Sequence, residues 1–292
     1  MVAWVLLFSI SLNAQTQQQW AQTVHWDGVT HWSRYILLLP AHMGPNALPV
    51  PYMGNGKLDN QTWIAATGQF NFMQGDHTQS IFLYGNLPLA KDVVTLDASY
   101  VPKEFYQMSD TLKEQRHVYY KFWYKNKSRG DLILNVNIRL LKRWEKAMQL
   151  VLHIGYRYPS GNGFGSARYT DNMGYYFDVT AAKPISNNFK WIAMAGFYCW
   201  QIDKDDLRQD DAFLFGTGFE WEKNKWKVDV NGSGYLGYLE NQGDKPLIFR
   251  AAIEKRILKL SALLKFQQGL HDFKYTTVEG GVKYYFNSKK SK

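Results

Sequence analysis

From Thr62 onward the chain repeats one pattern: roughly ten residues of alternating apolar and polar side chains, then a break rich in glycine, asparagine or charge. Alternation of period two marks a strand with one oily face and one wet face. Leu132, Leu134, Val136, Ile138 and Leu140 oppose Asn135, Asn137 and Arg139. Leu150, Leu152, Ile154, Tyr156 and Tyr158 oppose Gln149, His153 and Arg157, and Phe213, Phe215, Phe219 and Trp221 oppose Gly216, Gly218 and Glu220. At the end, Val278, Gly280, Val282, Tyr284 and Phe286 oppose Thr277, Glu279, Gly281 and Lys283. Several such runs are long enough to cross a bilayer at a tilt. The spacing predicts an all-β fold, a transmembrane antiparallel barrel of about twelve strands over residues 62–286. If Arg116–Lys127, which also alternates, and one further piece are strands, the number becomes fourteen.

The connections support a barrel over a soluble sandwich. Those at Lys91-Asp92, Trp144-Glu145, Asn187-Asn188, Lys223-Asn224 and Arg256-Ile257 are short, and those at 107–130, 159–172, 202–211 and 240–245 are longer. Short periplasmic turns alternating with longer outer loops belong to outer-membrane barrels. The short 74–78 turn is the exception and is expected on the outer side.

Ahead of the strands, residues 1–14 have a short apolar core and Ala14 before Gln15, the pattern of a cleaved signal peptide. They depart from it in lacking an early Lys or Arg and in carrying Leu12 three places before the cut. Residues 15–61 are a non-barrel segment, expected at the periplasmic mouth or inserted into the lumen. Pro45, Pro49 and Pro51 lack the donor that a central strand needs. Residues 287–292 form a basic tail, and Cys199, the single cysteine, reads as an apolar filler.

Composition bounds the partners. Thirty-four Lys and Arg against 25 Asp and Glu leave +9, dispersed without a run of five like charges, which argues against nucleic acid and suits anionic headgroups. Aromatic residues make up 16% of the chain, as the two interfacial girdles of a membrane barrel require. A mean hydropathy of −0.38 is too polar for a helical membrane protein.

With the oily face toward lipid, the wet face gathers Asp97, Arg139, His153, Arg157, Asp178, Glu220, Asp229, Arg250, Glu254 and Glu279. Paired charges can simply fill a narrow lumen, or they can select solutes in a pore. The expected function is a porin-like channel or small-solute transporter with a charge-lined lumen. The alternatives are an accessory subunit of an outer-membrane complex and a barrel-embedded lipid hydrolase. Catalytic signals are weak: no nucleophile elbow or His-Glu-x-x-His occurs, leaving His271-Asp272 as a candidate pair with Ser160 or Ser166. The acidic loop Asp203, Asp205, Asp206, Asp210 and Asp211 lacks the glycine of a calcium loop, so neither a metal nor a cofactor is expected. A solvated loop, or one bridged to lipopolysaccharide, accounts for it better.

Glu279, Gly281, Tyr284 and Phe286 resemble the C-terminal insertion signal of Gram-negative outer-membrane barrels. That resemblance implies insertion by the barrel-assembly machinery, outer-membrane lipid around the wall, and contact with other outer-membrane or periplasmic proteins. The stretches Gly44-Pro45-Asn46-Ala47-Leu48-Pro49-Val50-Pro51 and Ala167-Arg168-Tyr169-Thr170-Asp171 resemble a family of poorly characterised outer-membrane barrels. This second resemblance implies fold and membrane without an activity. It singles out Pro45, Asn46 and the outer-loop residues Arg168, Tyr169 and Asp171, with Arg168 and Asp171 a possible pair.

Overall fold

The computed structural model describes residues 16–141, 147–201, 209–238 and 243–286. The expected signal peptide, the turn at 143–146, residues 203–206 of the acidic loop and the basic tail lie outside the described residues. Strands β1 (Trp63–Met73), β2 (Asp76–Ala90) and β3 (Val94–Met108) open the sheet. A two-residue β4 (Lys127–Ser128) pairs on β3 ahead of β5 (Leu132–Arg139) and β6 (Gln149–Tyr158). Then come β7 (Gly174–Pro184), β8 (Phe189–Gln201), β9 (Gln209–Lys223) and β10 (Trp226–Gly237). The last three are β11 (Leu247–Ile257), β12 (Leu260–His271) and β13 (Thr276–Tyr285).

Apart from β4, each strand pairs antiparallel with its neighbours in chain order, and β13 returns to β1. The register of that seam runs from Trp63↔Tyr285 to Phe72↔Thr276. The sheet is therefore a closed barrel of twelve strands, and closure leaves no unpaired edge. Gly281 lies at this seam where a Cβ would stand 2.3 Å from the Ala66 carbonyl oxygen, so only glycine lets β13 and β1 approach this closely.

The period-two pattern decides which side faces what. Ile64, Ile154, Leu264 and Val282 point outward and are exposed, as are Phe177, Phe197, Phe213 and Phe219. Thr67, Asn71, Asp178, Glu220 and Glu279 point inward and are buried. A belt of exposed Leu, Ile, Val and Phe around a polar interior is the inverse of a soluble barrel and fits hydrocarbon outside.

Both ends of the barrel chain, Trp63 and Tyr285, lie at one rim, together with the short connections after β2, β7, β9 and β11. The opposite rim carries the longer connections and the tight turn at Gly75, whose φ of +81° suits glycine. The 74–78 turn thus sits at the long-loop rim. Arg116–Lys127 forms no barrel strand, only Lys127 joining the short β4, so the ring has twelve strands and not fourteen. It follows the short helix α2 (Asp110–Gln115), includes a 3-10 turn over Tyr120–Phe122, and buries Val118 and Trp123 under the N-terminal segment. Its apolar spacing serves that cap rather than a sheet.

The N-terminal helix α1 (Gln17–Val24) also sits at the long-loop rim, begun by a capping box between Thr16 and Gln19. Trp20 is buried, with ring centroids 5.1 Å from Tyr119 and 5.8 Å from Tyr35, and Trp32 stacks on Tyr119 at 4.8 Å. Below this aromatic cap lies an apolar core. Ile36, Leu38, Met43 and Leu48 meet Trp123, Phe164, Trp200, Leu214, Tyr235 and Tyr275 there.

Leu264 stands mid-strand on the outward face of β12. Leu264→Arg is expected to lower stability by about 2–4 kcal/mol in denaturant titrations of protein refolded into phospholipid vesicles. In a soluble fold the same change at an exposed site would stay within about 0.5 kcal/mol.

Candidate functional site

Residues 41–61 run along the barrel axis, from the long-loop rim to the start of β1. The wall holds them at successive heights. Ala41 N–H donates to the Gly243 carbonyl at 3.0 Å, and Gly44 N–H to the Ala167 carbonyl at 2.7 Å. Asn46 Nδ2 donates to Glu104 Oε2 at 2.9 Å, and the Tyr235 hydroxyl to the Leu48 carbonyl at 3.0 Å. Arg250 gives Nη2 to the Val50 carbonyl at 2.6 Å and Nη1 to the Pro51 carbonyl at 3.0 Å, while its guanidinium covers the Tyr52 ring at 4.2 Å. Lower down, Asn55 donates to Glu220 at 3.1 Å and accepts from Lys190 at 2.9 Å.

The prolines explain this path. Pro49 and Pro51 have no N–H for a strand ladder, so the segment stays out of the wall while its carbonyls still require donors. Two glycines fit it to the bore. A Cβ on Gly44 would stand 2.9 Å from the Arg168 guanidinium carbon, and one on Gly54 would stand 2.2 Å from His153 Cε1.

Near the long-loop rim a buried ionic network ties the plug to the wall. Arg168 Nη1 meets Asp76 Oδ2 at 2.6 Å and its Nε meets Glu104 Oε1 at 2.9 Å. Arg116 Nη1 shares Asp76 at 2.8 Å, the Tyr275 hydroxyl donates to Asp76 at 2.6 Å, and the Tyr169 hydroxyl donates to Glu104 at 2.7 Å. Burial alone would push the Arg168 guanidinium down, but Glu104 and Asp76 hold it well above its ordinary value, so it stays charged.

Arg168 and Tyr169, expected on an outer loop, belong to the connection between β6 and β7, yet that connection folds into the bore and buries both. The carboxylates that Arg168 meets are Asp76 and Glu104, not its near neighbour Asp171, which is exposed. The alternation also left Asp76, Glu104 and Arg116 unnoticed. Asp76 follows the Gly75 turn and Glu104 sits in a charged run, but both share inward parity with Thr78, Ser80 and Tyr106.

The other inward charges are paired in several groups. Arg157 meets Asp131 at 3.0 Å, His153 Nδ1 meets Asp178 at 2.8 Å, and Glu220 takes Lys190 at 2.7 Å and Lys227 at 2.9 Å. Glu279 holds Lys265 at 2.8 Å, Arg139 reaches Asp92 at 2.7 Å, and Lys283 reaches Glu254 at 3.5 Å. Asp229 accepts from Asn231 at 2.5 Å, and Asp97 from Asn135 and Asn137. His271 and Asp272 lie at the long-loop rim with Nδ1 and Oδ2 3.3 Å apart. The imidazole is exposed and also meets the Lys245 carbonyl at 2.9 Å, so both groups tie down a turn. Ser160 is likewise spent on backbone, accepting from Leu132 N–H and donating to the Gly130 carbonyl.

Beside the plug the bore is not filled. A cavity of about 370 Å³ lies between residues 45–59 and the inner faces of β1, β2, β3, β5 and β6. Its lining mixes Asn71, Asn86, Asp97, Asn135 and Asn137 with Phe82 and Tyr84.

Solved structures show the same architecture. The chain is similar to an outer-membrane channel from Pseudomonas putida F1, with a TM-score of 0.56 and 12% identity over 81% of this chain and 100% of that one. It is also similar to the NanC porin, with a TM-score of 0.53 and 7% identity over 76% and 100% of the two chains. The KdgM porin gives a TM-score of 0.50 and 8% identity over 76% and 99%. The chain has the fold of an outer-membrane β-barrel. At these identities the likeness is one of fold. No protein-family model matches the chain, and no curated protein does.

Arg168→Met leaves buried Glu104 without a cation and Asp76 with Arg116 alone. It is expected to cost about 3–5 kcal/mol in detergent-solubilised unfolding. Asp171→Asn, at an exposed loop position, should cost under about 0.5 kcal/mol in the same assay.

Proposed function

We propose that the chain is a porin-like channel of a bacterial outer membrane, its bore narrowed by residues 41–61. The observation that carries this reading is the unfilled cavity beside the plug, lined by asparagines among apolar and aromatic side chains and enclosed by a sealed wall whose outside is oily. A barrel that served only as an anchor would have no use for an unfilled space along its axis. Short turns and both barrel ends at the Trp63 rim support a periplasmic position for that rim, with the long-loop rim toward lipopolysaccharide. The outward aromatic pair Tyr284 and Phe286 ends the strand that closes the seam, which suits recognition by the barrel-assembly machinery.

Solutes would follow the β1–β6 side of the plug. The path ends at the long-loop rim against the packed core and the Arg168 network, which makes that network the gate. Charges inside are nearly balanced locally, so selectivity would come from individual side chains rather than from one sign of field.

The test is current across planar bilayers, with Cys199 replaced by serine. Ser99 lines the cavity, whereas Leu134 lies on the opposite parity from cavity-lining Ile133 and Asn135. A charged methanethiosulfonate should reduce the current through Ser99→Cys and leave Leu134→Cys unchanged. A silent wild type that remains silent when Arg168→Met releases the gate would refute the channel.

A further inference from the structure

Among the described strand residues, inward carboxylates stand beside a basic side chain except at Asp97 and Asp229. Asp131, Asp178, Glu220 and Glu279 each meet Arg157, His153, Lys190 or Lys265 within 3.0 Å. Asp229 and Asp97 make no such pair. Asp229 faces a small hollow of about 110 Å³ that Arg250 and Lys265 also line, so positive charge is already near it. Asp97 faces the large cavity, and its hydrogen-bond partners are neutral: Asn135 Nδ2 at 2.6 Å and Asn137 Nδ2 at 2.5 Å.

This carboxylate is held in place with care. The Tyr176 hydroxyl donates to Asn135 Oδ1 at 2.5 Å, which turns the amide so that its nitrogen points at Asp97. Tyr176 in turn occupies the space left by Gly155, where a Cβ would stand 2.2 Å from the ring. An acid retained in a partly dry bore without a counter-charge costs stability. Each of its oxygens uses one acceptor site on an amide and keeps another for a ligand.

The neighbouring surface supplies the rest of a site. Phe82 and Tyr84 stack at 5.6 Å with planes 12° apart and line the same cavity. The cavity already seats an ammonium group on an aromatic face: Lys265 Nζ lies 4.5 Å from the Tyr84 ring. Phe82 carries no such cation among the described residues. On the far side, Arg250 and Lys265 would repel a second positive charge. A lone carboxylate is too few oxygens for a hard divalent ion.

We propose that this part of the bore binds a small solute carrying one ammonium group, its N–H donors on Asp97 and its hydrocarbon part against the Phe82 ring of the Phe82–Tyr84 stack. The proposal rests on the channel reading for how the solute arrives, but binding depends on the cavity alone. Charge-assisted hydrogen bonds supply the affinity and the aromatic faces add to it.

Calorimetric titration of the full chain in detergent tests this, with butylammonium chloride as probe and 1-butanol as the uncharged control at matched ionic strength. The amine should bind and the alcohol should not. Asp97→Asn keeps the shape and should weaken the amine about tenfold or more. Ser99→Phe, which fills the cavity and leaves the carboxylate, should abolish binding, and Asp229→Asn should leave it unchanged. No amine binding to the wild type, equal binding to Asp97→Asn, or equal binding of butanol would overturn the proposal. Current without amine binding would end this site and spare the channel; amine binding without current would do the reverse.

Discussion

The structure depends on closing the hydrogen-bond ladder. Once β13 pairs with β1 through ten register partners, no strand keeps a free edge among the twelve that form the ring. In hydrocarbon an unpaired backbone group costs several kcal/mol, so this closure is what lets the outside of the wall be oily. The side-chain pattern follows from it. Each strand can offer Leu, Ile, Val or Phe to lipid only because its alternate residues turn inward, and those inward residues then have to find partners in a narrow space.

The N-terminal segment supplies many of those partners. Its carbonyls at Leu48, Val50 and Pro51 accept from Tyr235 and Arg250, and its Asn46 and Asn55 amides reach Glu104 and Glu220. The Arg168, Arg116, Asp76 and Glu104 network adds little net stability over an apolar packing of the same volume, because desolvating four charges offsets most of their attraction. What it contributes is a single arrangement. It fixes the β6–β7 connection, the β3–β5 connection and the plug to one side of the wall, and a swap of any one charge leaves a buried ion unmatched.

The wall was legible because one parity of each strand is apolar over eight or more residues. Leu132 to Leu140 and Val278 to Phe286 carry that signal without knowledge of any contact. Arg116–Lys127 carried a false one, since Val118 and Trp123 are buried by the cap and the helical turns rather than by a sheet. The inward side chains could be read as a set but not as pairs. Arg168 lies 92 residues from Asp76 and 64 from Glu104, and only closure of the ring brings them together. The same holds for the plug: three prolines excluded a strand, but the sequence had no means to say which side chains would receive its carbonyls.

The most direct measurement is a nitroxide scan in lipid vesicles along β5 and β6, comparing Leu134 and Leu152 with Asn135 and His153. A wall with lipid outside and an aqueous bore predicts collisions with oxygen at Leu134 and Leu152, and with a water-soluble nickel chelate at Asn135 and His153. Chelate access at the two leucines, with both polar positions shielded, would contradict it.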